Sequence, residues 1–206
     1  MSAPSSAPPT FDAIDLAPLD RQARYKLFMG SIVPRPIAVV TTLSEAGVVN
    51  VAPFSNFMAL STESSLLAMS IGAEPRAPDR CKDTLRNIRY SKEFVINFMA
   101  DDQAHEIQET SRWRPQDVSE VDVVGWSLLP SDVMSTPRLQ EAVIQIECKL
   151  HSITDFGESR LVVGQALRFH AREGVVKDYK IDLGLYHPLG RLSGKFYCKL
   201  GDVIEG

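Results

Sequence analysis

The sequence predicts a mainly β fold, a barrel with inserted helices, and three observations carry this prediction. Short runs of β-branched and aromatic residues recur along the 206-residue chain, and such runs are typical of strands joined by turns. The run Val143–Ile153 alternates apolar and polar residues, as a half-buried strand does. Strands and helices do not alternate regularly, so the pattern does not indicate a doubly wound parallel sheet.

The first predicted strands form a hairpin. Pro36–Leu43 is a short apolar and β-branched run that breaks at Ser44–Gly47, and a second run follows over Val48–Ala52. Two such runs separated by a short turn indicate antiparallel pairing. Leu66–Ile71 and Phe94–Phe98 have a similar composition, and we expect them to be further short strands.

The longest predicted strand has two different faces. Its residues divide into an apolar set and a polar set, namely Ile144, Ile146, Cys148 and Leu150 against Gln145, Glu147, Lys149 and His151. We therefore expect one face to be buried and the other to be wet. A turn at Asp155–Glu158 then leads into another strand over Ser159–Phe169.

Two helices are predicted between the strands. Asp83–Tyr90 places Leu85 and Ile88 on one face, which is the spacing of a helix that covers a core. Asp102–Glu109 follows Asp101, whose side chain we expect to cap that helix.

Composition limits the class of protein. Residues 1–20 are rich in Ser, Ala and Pro, which predicts a flexible or surface-draped tail. They do not have the pattern of a secretory signal. We expect residues 21–206 to form one domain. The net charge of −4 argues against nucleic-acid binding through general basicity. No apolar run approaches the roughly 18–20 residues of a membrane span. Three scattered cysteines without a CxxC pair indicate a reducing, cytoplasmic setting.

Several familiar catalytic motifs are missing by spacing. The sequence has neither a GxGxxG nor a GxSxG pattern, and Gly190–Phe196 is one residue too short for a phosphate-binding Walker loop. His105 and Glu106 begin a zinc motif, but Glu109 stands where the second histidine belongs. These patterns predict no metal site and no serine hydrolase.

A local concentration of positive charge marks a candidate phosphate site. Between Arg76 and Lys92 there are six basic and two acidic residues, a local charge of +4 in a chain of net charge −4. Within this segment Lys82 and Thr84 lie at the start of the predicted helix, where free backbone N–H groups attract anions. Asp83 opposes an anion unless it points away or is compensated by Arg76 and Arg80. An ordinary solvated basic helix remains the alternative.

Four segments of the chain together suggest a family. They are Arg35–Thr42 (RPIAVVTT), Asn50–Phe57 (NVAPFSNF), Lys82–Ile88 (KDTLRNI) and Phe94–Asn97 (FVIN). Their order and spacing resemble the flavin reductase-like, FMN-binding split-barrel family over nearly all of the chain except the tail. The resemblance implies a six-stranded split β-barrel, a homodimer, and one FMN in each cleft at the subunit interface.

The resemblance also implies which residues contact the flavin. Residues of the first two strands lie along the ring, residues at the end of a later strand touch the ribityl chain, and the basic segment binds the phosphate. In that order the matching positions are Pro36, Thr41, Thr42, Ser55, Asn56, Ser70, Ile71, Arg76, Lys82 and Thr84. His187 lies in a segment that approaches the cleft, and it is the candidate catalytic group that helps to place a nicotinamide.

Several of these residues have a structural interpretation as well. Thr41 and Thr42 are strand formers, and Ser55 and Asn56 are residues typical of turns. Asn87 is interpreted as a polar residue on the wet side of its helix rather than as a flavin contact. Two residues of the C-terminal part also have alternative interpretations. His187 is either the candidate catalytic group or a loop histidine that is hydrogen-bonded to the backbone. Arg191 pairs either with a nucleotide phosphate or with a surface carboxylate.

The resemblance implies an NAD(P)H-dependent flavin reductase. In this hypothesis hydride passes from NADH or NADPH to flavin N5, the cofactor is FMN, and electrons pass onward, in one version to an accepting protein. Two alternatives are an FMN-holding electron carrier that is reduced by a protein partner, and a split-barrel oxidase of a small amine.

Overall fold

The computed structural model describes residues 9–206, in which β-strands dominate. The α-helices are α1 (Arg21–Ser31), α2 (Asp83–Ser91), α3 (Ala104–Thr110) and α4 (Glu120–Val124), with a 3₁₀ turn at Asp101–Gln103. The strands are β1 (Ala38–Leu43), β2 (Val49–Phe54), β3 (Phe57–Ser61), β4 (Leu66–Gly72), β5 (Glu93–Phe98), β6 (Leu128–Leu129), β7 (Arg138–Leu139), β8 (Ile144–Phe156), β9 (Ser159–Ala171), β10 (Val176–Lys177), β11 (Lys180–Ile181), β12 (Leu189–Arg191) and β13 (Tyr197–Lys199). The predicted mainly β fold with inserted helices is confirmed.

One antiparallel sheet of seven strands forms the body, in the order β2-β1-β5-β8-β9-β4-β3. The resemblance implied six strands, and β3 was not predicted from the sequence. β3 pairs with β4 through an irregular register at Ala59 and Ser61. The sheet leaves β2 and β3 as its two edges, and the short segment Ser55–Asn56 joins them directly.

Hydrophobic clusters lie on both faces of the sheet. Val40 and Phe94 belong to the larger cluster, which α2 covers with Leu85 and Ile88. Val39 belongs to the second cluster, which packs beneath α3 and α4. Because β1 is buried on both faces, its apolar residues Ala38, Val39 and Val40 follow one another without alternation, and the two threonines after them are buried as well.

The predicted hairpin and the predicted helix α2 are confirmed. β1 and β2 pair antiparallel from Ala38 opposite Phe54 to Leu43 opposite Val49. The predicted cap of the next helix is wrong, because Asp101 lies in the 3₁₀ turn and its carboxylate pairs with Lys199 at 3.0 Å.

The N-terminal region contains the predicted tail and one helix that was not predicted. Residues 9–20 of the predicted tail lie on the surface, and residues 1–8 fall outside the described part of the chain. α1 was not predicted, since it buries no side chain and has no apolar face; the Asp20 carboxylate caps it by accepting the Ala23 N–H at 2.7 Å. None of the helices in residues 9–206 is long and apolar enough to cross a bilayer.

The expectation of a wet face on the long strand is wrong for the first half of β8. Gln145 and Glu147 are as buried as their apolar neighbours, because a segment that includes β7 covers them. The Glu147 carboxylate accepts the backbone N–H groups of Asp132 and Val133, both at 2.9 Å, and contacts His170 Nε2 at 2.6 Å. The alternation of apolar and polar residues predicts the strand correctly. It carries no information about a segment distant in sequence that covers the polar face.

These contacts determine the ionisation of Glu147. Burial by itself raises the pKa of the carboxyl, but the two N–H donors and His170 more than offset it, so the pKa lies below its usual range. A carboxylate with a lowered folded-state pKa contributes stability above the unfolded-state value of 4.5, and that contribution is lost as the pH falls through the folded-state pKa.

We expect Glu147→Gln to lower the free energy of unfolding by about 2–3 kcal/mol at pH 7, because the charge-assisted hydrogen bonds are weakened. Urea denaturation of both proteins from pH 7 to pH 3 measures the effect, with exposed Glu173→Gln as the control. The difference between wild type and Glu147→Gln shrinks below about pH 4.5. A difference that stays constant over the whole range would contradict this assignment.

Candidate functional site

Two neighbouring cavities lie along the edge strand β2 and share Ser111 as a common wall. The first is lined by residues of β2, of the start of α2 and of the loop after α3, namely Asn50, Ala52, Glu74, Lys82, Asp83, Thr84, Thr110, Ser111, Arg112, Trp113, Arg114 and Glu120. The second is lined by Tyr25, Arg35, Ile37, Pro53, Ser55, Ile107, Ser111, Arg191, Leu192, Gly194 and Tyr197. Together they form a groove, which we call the β2 groove.

β2 tolerates Pro53 because it is an edge strand, and the N–H groups on its outer side make no bonds within the sheet. Val51 directs its backbone N–H away from β1 and donates it to Glu120 Oε2 at 2.9 Å. Pro53 lies two residues further along and has the same outward orientation, so its missing N–H removes no bond of the sheet. The outer edge of β2 therefore runs along the groove.

The start of α2 forms the floor of the first cavity. Lys82 is the N-cap residue and makes no side-chain capping bond, so that the first N–H groups of the helix keep their capacity to donate. Thr84 is buried, and its Oγ1 accepts the Asn50 amide at 3.0 Å. Because that oxygen acts as an acceptor towards Asn50, the Thr84 hydroxyl hydrogen is left to donate to a ligand.

Most basic side chains around this cavity form ion pairs with acidic side chains. Arg86 pairs with Asp83 and also with Asp79, at 2.9 Å for the latter. Of the two conditions set for Asp83, compensation by Arg76 and Arg80 is not what the structure shows; Arg86 compensates it, one turn along the same helix. Arg80 pairs instead with Glu158 at 2.6 Å.

Glu74 is one of two buried carboxylates that line the first cavity, and the other, Glu120, accepts the Val51 N–H. The oxygens of Glu74 accept Arg76 Nε at 2.7 Å and Arg76 Nη2 at 3.2 Å, and Lys82 Nζ lies 3.7 Å from Oε2. The hydrogen bond from Arg76 lowers the pKa of Glu74 below its usual range, and Glu74 is therefore ionised at neutral pH. The Arg76 guanidinium also lies 5.8 Å from the centre of the Trp113 ring at the rim of the cavity.

A buried arginine fixes the wall of the second cavity. The Arg35 guanidinium donates to the carbonyls of Met29, Ile32 and Leu192 at 2.6–2.7 Å, and to Ser55 Oγ at 3.3 Å. It joins the end of α1, the β2–β3 connection and the C-terminal segment in one place. Its position is consequently held by parts of the chain that are far apart in sequence.

Arg191 borders the same cavity from the opposite side. It lies 4.4 Å above the centre of the Tyr197 ring and donates to Gln108 Oε1 at 3.2 Å. The expectation of a surface carboxylate as its partner is not met.

The adjacent threonines of β1 point in opposite directions, as the two-residue period of a strand requires. Thr41 Oγ1 donates to the Pro137 carbonyl at 2.7 Å, on the side away from the groove. Thr42 Oγ1 accepts the amides of Asn50 at 3.3 Å and Asn87 at 3.1 Å. The interpretation of Asn87 as a residue on the wet side of its helix is wrong, since it is buried against β1.

The other predicted positions are only partly brought together. Lys82, Thr84 and Ser55 line the β2 groove, whereas Ile71 is fully buried in the core and the Ser70 N–H donates to the Asn56 carbonyl at 2.8 Å. The Asn56 side chain is exposed.

Two predicted positions lie elsewhere. Pro36 borders a separate apolar cavity with Pro188 and Leu200, and His187 is an exposed residue that lines neither part of the β2 groove. The assignment of His187 and of the flavin contacts stays a prediction.

Several groove residues escaped the sequence reasoning. Asn50, Glu74, Arg35 and Trp113 line or border the groove, yet each stands in a different segment of the chain. Asn50 and Arg35 belong to the segments that carry the resemblance, which was the available signal. Glu74 and Trp113 have no local signal, because only the folded chain brings them to Lys82 and Arg76.

Comparison with known proteins agrees with this geometry. Residues 29–191 match the family described as "Flavin reductase like domain". An uncharacterized protein of Halalkalibacterium halodurans is 35% identical over 193 residues, 91% of each chain.

Two solved structures share the fold closely. Nitrilotriacetate monooxygenase component B from Bacillus cereus superposes with a TM-score of 0.89 at 31% identity, covering 96% of this chain and 100% of that one. The 2-nitrobenzoate 2-nitroreductase NbaA of Pseudomonas fluorescens superposes with a TM-score of 0.85 at 31% identity, with 94% of each chain covered. The barrel is thus of the split flavin reductase type, and the chain belongs to the flavin reductase-like family.

We expect Thr42→Val to lower the free energy of unfolding by about 1–3 kcal/mol, because it leaves the amides of Asn50 and Asn87 without their shared acceptor. Chemical denaturation measures the change. Thr62→Val, in an exposed turn, is the matched control. Equal stability of the two variants would show that the network at Thr42 does not hold α2 to the barrel.

Proposed function

We propose that this protein is an NAD(P)H-dependent flavin reductase that binds FMN in the β2 groove. The observation that carries the proposal is the start of α2, where Lys82, the Thr84 hydroxyl and uncapped helix N–H groups converge in one cavity. A phosphate is the ligand that such a set of donors suits best, since it is an anion with several acceptor oxygens.

The residues of the groove fit the rest of the cofactor. From Asn50 to Ser55 the edge strand spans about 17 Å at the usual rise per residue, which gives an elongated ligand room to lie along it. The first cavity is polar and charged at its α2 end. The second has the apolar side chains of Ile37, Pro53 and Ile107, which suit one face of an aromatic ring.

When bound, the flavin supplies the hydride-accepting chemistry, so the protein needs no catalytic triad or carboxylate pair. Lys82 and Thr84 hold the phosphate end, and the apolar wall keeps water away from the ring. The Arg35 guanidinium, fixed by three carbonyls, places a positive charge at the ring end of the groove. Such a fixed charge favours the electron-rich, reduced ring.

The relatives support an oxidoreductase. One structural neighbour at 31% identity is a component of a monooxygenase and the other is a nitroreductase. A component that works within a larger system is consistent with electrons that pass on to an accepting protein, and we include such a partner in the proposal. NADH and NADPH both remain candidates for the donor.

A homodimer is part of the same proposal. Apolar side chains on the outer surface of β3 and β9 are exposed, including Met58, Leu60, Leu167 and Phe169, which are 44–53% accessible. Exposed apolar groups of this size are typical of surfaces that a second chain covers. A single-chain mass in light scattering would contradict the dimer.

The direct test of the function is anaerobic mixing of the FMN-loaded protein with NADH or with NADPH. We expect the absorption of the oxidised flavin, at about 450 nm, to decrease after mixing with at least one of the two donors. A flavin that stays oxidised with both donors would contradict the reductase and leave the electron carrier as the alternative. Free FMN with the same donors provides the background rate.

A further inference from the structure

We propose that Glu74 is a built-in competitor of the flavin phosphate, which lowers the affinity of the site for FMN and makes the flavin exchangeable. This inference rests on the proposed function only in so far as FMN binds at Lys82. It concerns a residue of the first cavity that the proposed chemistry does not otherwise use.

The geometry places Glu74 against the two cations among the three predicted phosphate ligands. Its carboxylate bonds Arg76 through two oxygens and lies 3.7 Å from Lys82 Nζ. The Glu74 side chain is only 8% exposed, whereas that of Arg76 is 60% exposed. The acid is therefore the fixed, interior member of the cluster, and the two cations are arranged around it.

The charges of the cavity show what this arrangement does. Arg86 neutralises Asp83 on α2, and the Arg112 guanidinium pairs with Glu109 at 2.9 Å. The Arg114 guanidinium, which also lines the cavity, lies 3.7 Å from the same Glu109 carboxylate. Arg76 and Lys82 are the two cations of the basic segment that remain beside this cavity, and Glu74 contacts both. A phosphate that binds Lys82 must approach a buried carboxylate, and repulsion between like charges is only weakly screened there.

The consequence is selective for the phosphate. Repulsion from Glu74 acts on the phosphate end of FMN, whereas riboflavin has the same ring and ribityl chain without that charge. Glu74 therefore reduces the preference of the protein for FMN over riboflavin. A site that binds the phosphate weakly relative to the ring is suited to a flavin that binds in its oxidised form and dissociates in its reduced form.

The experiment compares FMN and riboflavin binding by fluorescence titration of the full-length protein. We expect Glu74→Gln to bind FMN about tenfold more tightly than wild type, while its riboflavin affinity stays within about twofold, a change of the size expected for one nearby charge. Glu158→Gln is the control, since Glu158 pairs with Arg80 and Arg21 outside the cavity. A merely structural role of Glu74 would change the affinity for both flavins alike.

Three results would overturn the proposal. They are an FMN affinity in Glu74→Gln that is unchanged or weaker, an equal tightening of FMN and riboflavin, and an equal effect of Glu158→Gln. Wild-type protein that binds neither flavin would overturn the proposed function as well, and this is seen before any variant is made. FMN binding with the expected wild-type behaviour but no response to Glu74→Gln defeats only the inference about Glu74.

A second variant tests the same claim if Glu74→Gln does not fold. With Lys82→Ala the phosphate loses one of its two cations but still faces Glu74, so we expect FMN to bind more weakly than riboflavin to this variant. FMN that binds this variant as tightly as riboflavin, or more tightly, would contradict the competitor role.

Discussion

The structure depends on the hydrogen-bond network that fastens the start of α2 to the barrel. Thr42 of β1 accepts amides from Asn50 and Asn87, and Asn50 reaches on to Thr84. These groups are buried or half-buried, so each unpaired amide would carry the full cost of its lost solvation. The network holds the uncapped end of α2 beside the edge strand. Without it, the helix could still cover the core through Leu85 and Ile88, but its N–H groups would have no fixed direction.

The groove follows from the way in which the sheet ends. A closed barrel would pair both edges of β2, whereas this sheet stops at β2 and at β3. α4 covers one part of the open edge, through the bond from Val51 to Glu120. The remaining part meets the loop after α3 and the α2 start on one side, and Arg35 on the other. An elongated site with a charged end and an apolar end is the physical result.

The sequence predicts those features that are local and fails for those that are not. The β1–β2 hairpin, the strands β4 and β5, and α2 follow from short-range patterns, and Lys82 and Thr84 stand out through local charge and their place at a helix start. Thr41 shows the limit of a motif, because adjacent strand residues cannot face the same cavity. The burial of Glu147 and the pairing of Glu74 depend on segments that are distant in sequence, and neither residue type nor period encodes them.

The central claim is that a flavin mononucleotide lies along β2 with its phosphate at the start of α2. A crystal structure of the protein soaked or grown with FMN tests it most directly. The account predicts phosphate oxygens within hydrogen-bonding distance of Lys82 Nζ, Thr84 Oγ1 and the first N–H groups of α2, with the ring beside Pro53 and Ser55. A phosphate bound elsewhere, or a groove that side chains fill in the presence of saturating FMN, would contradict it.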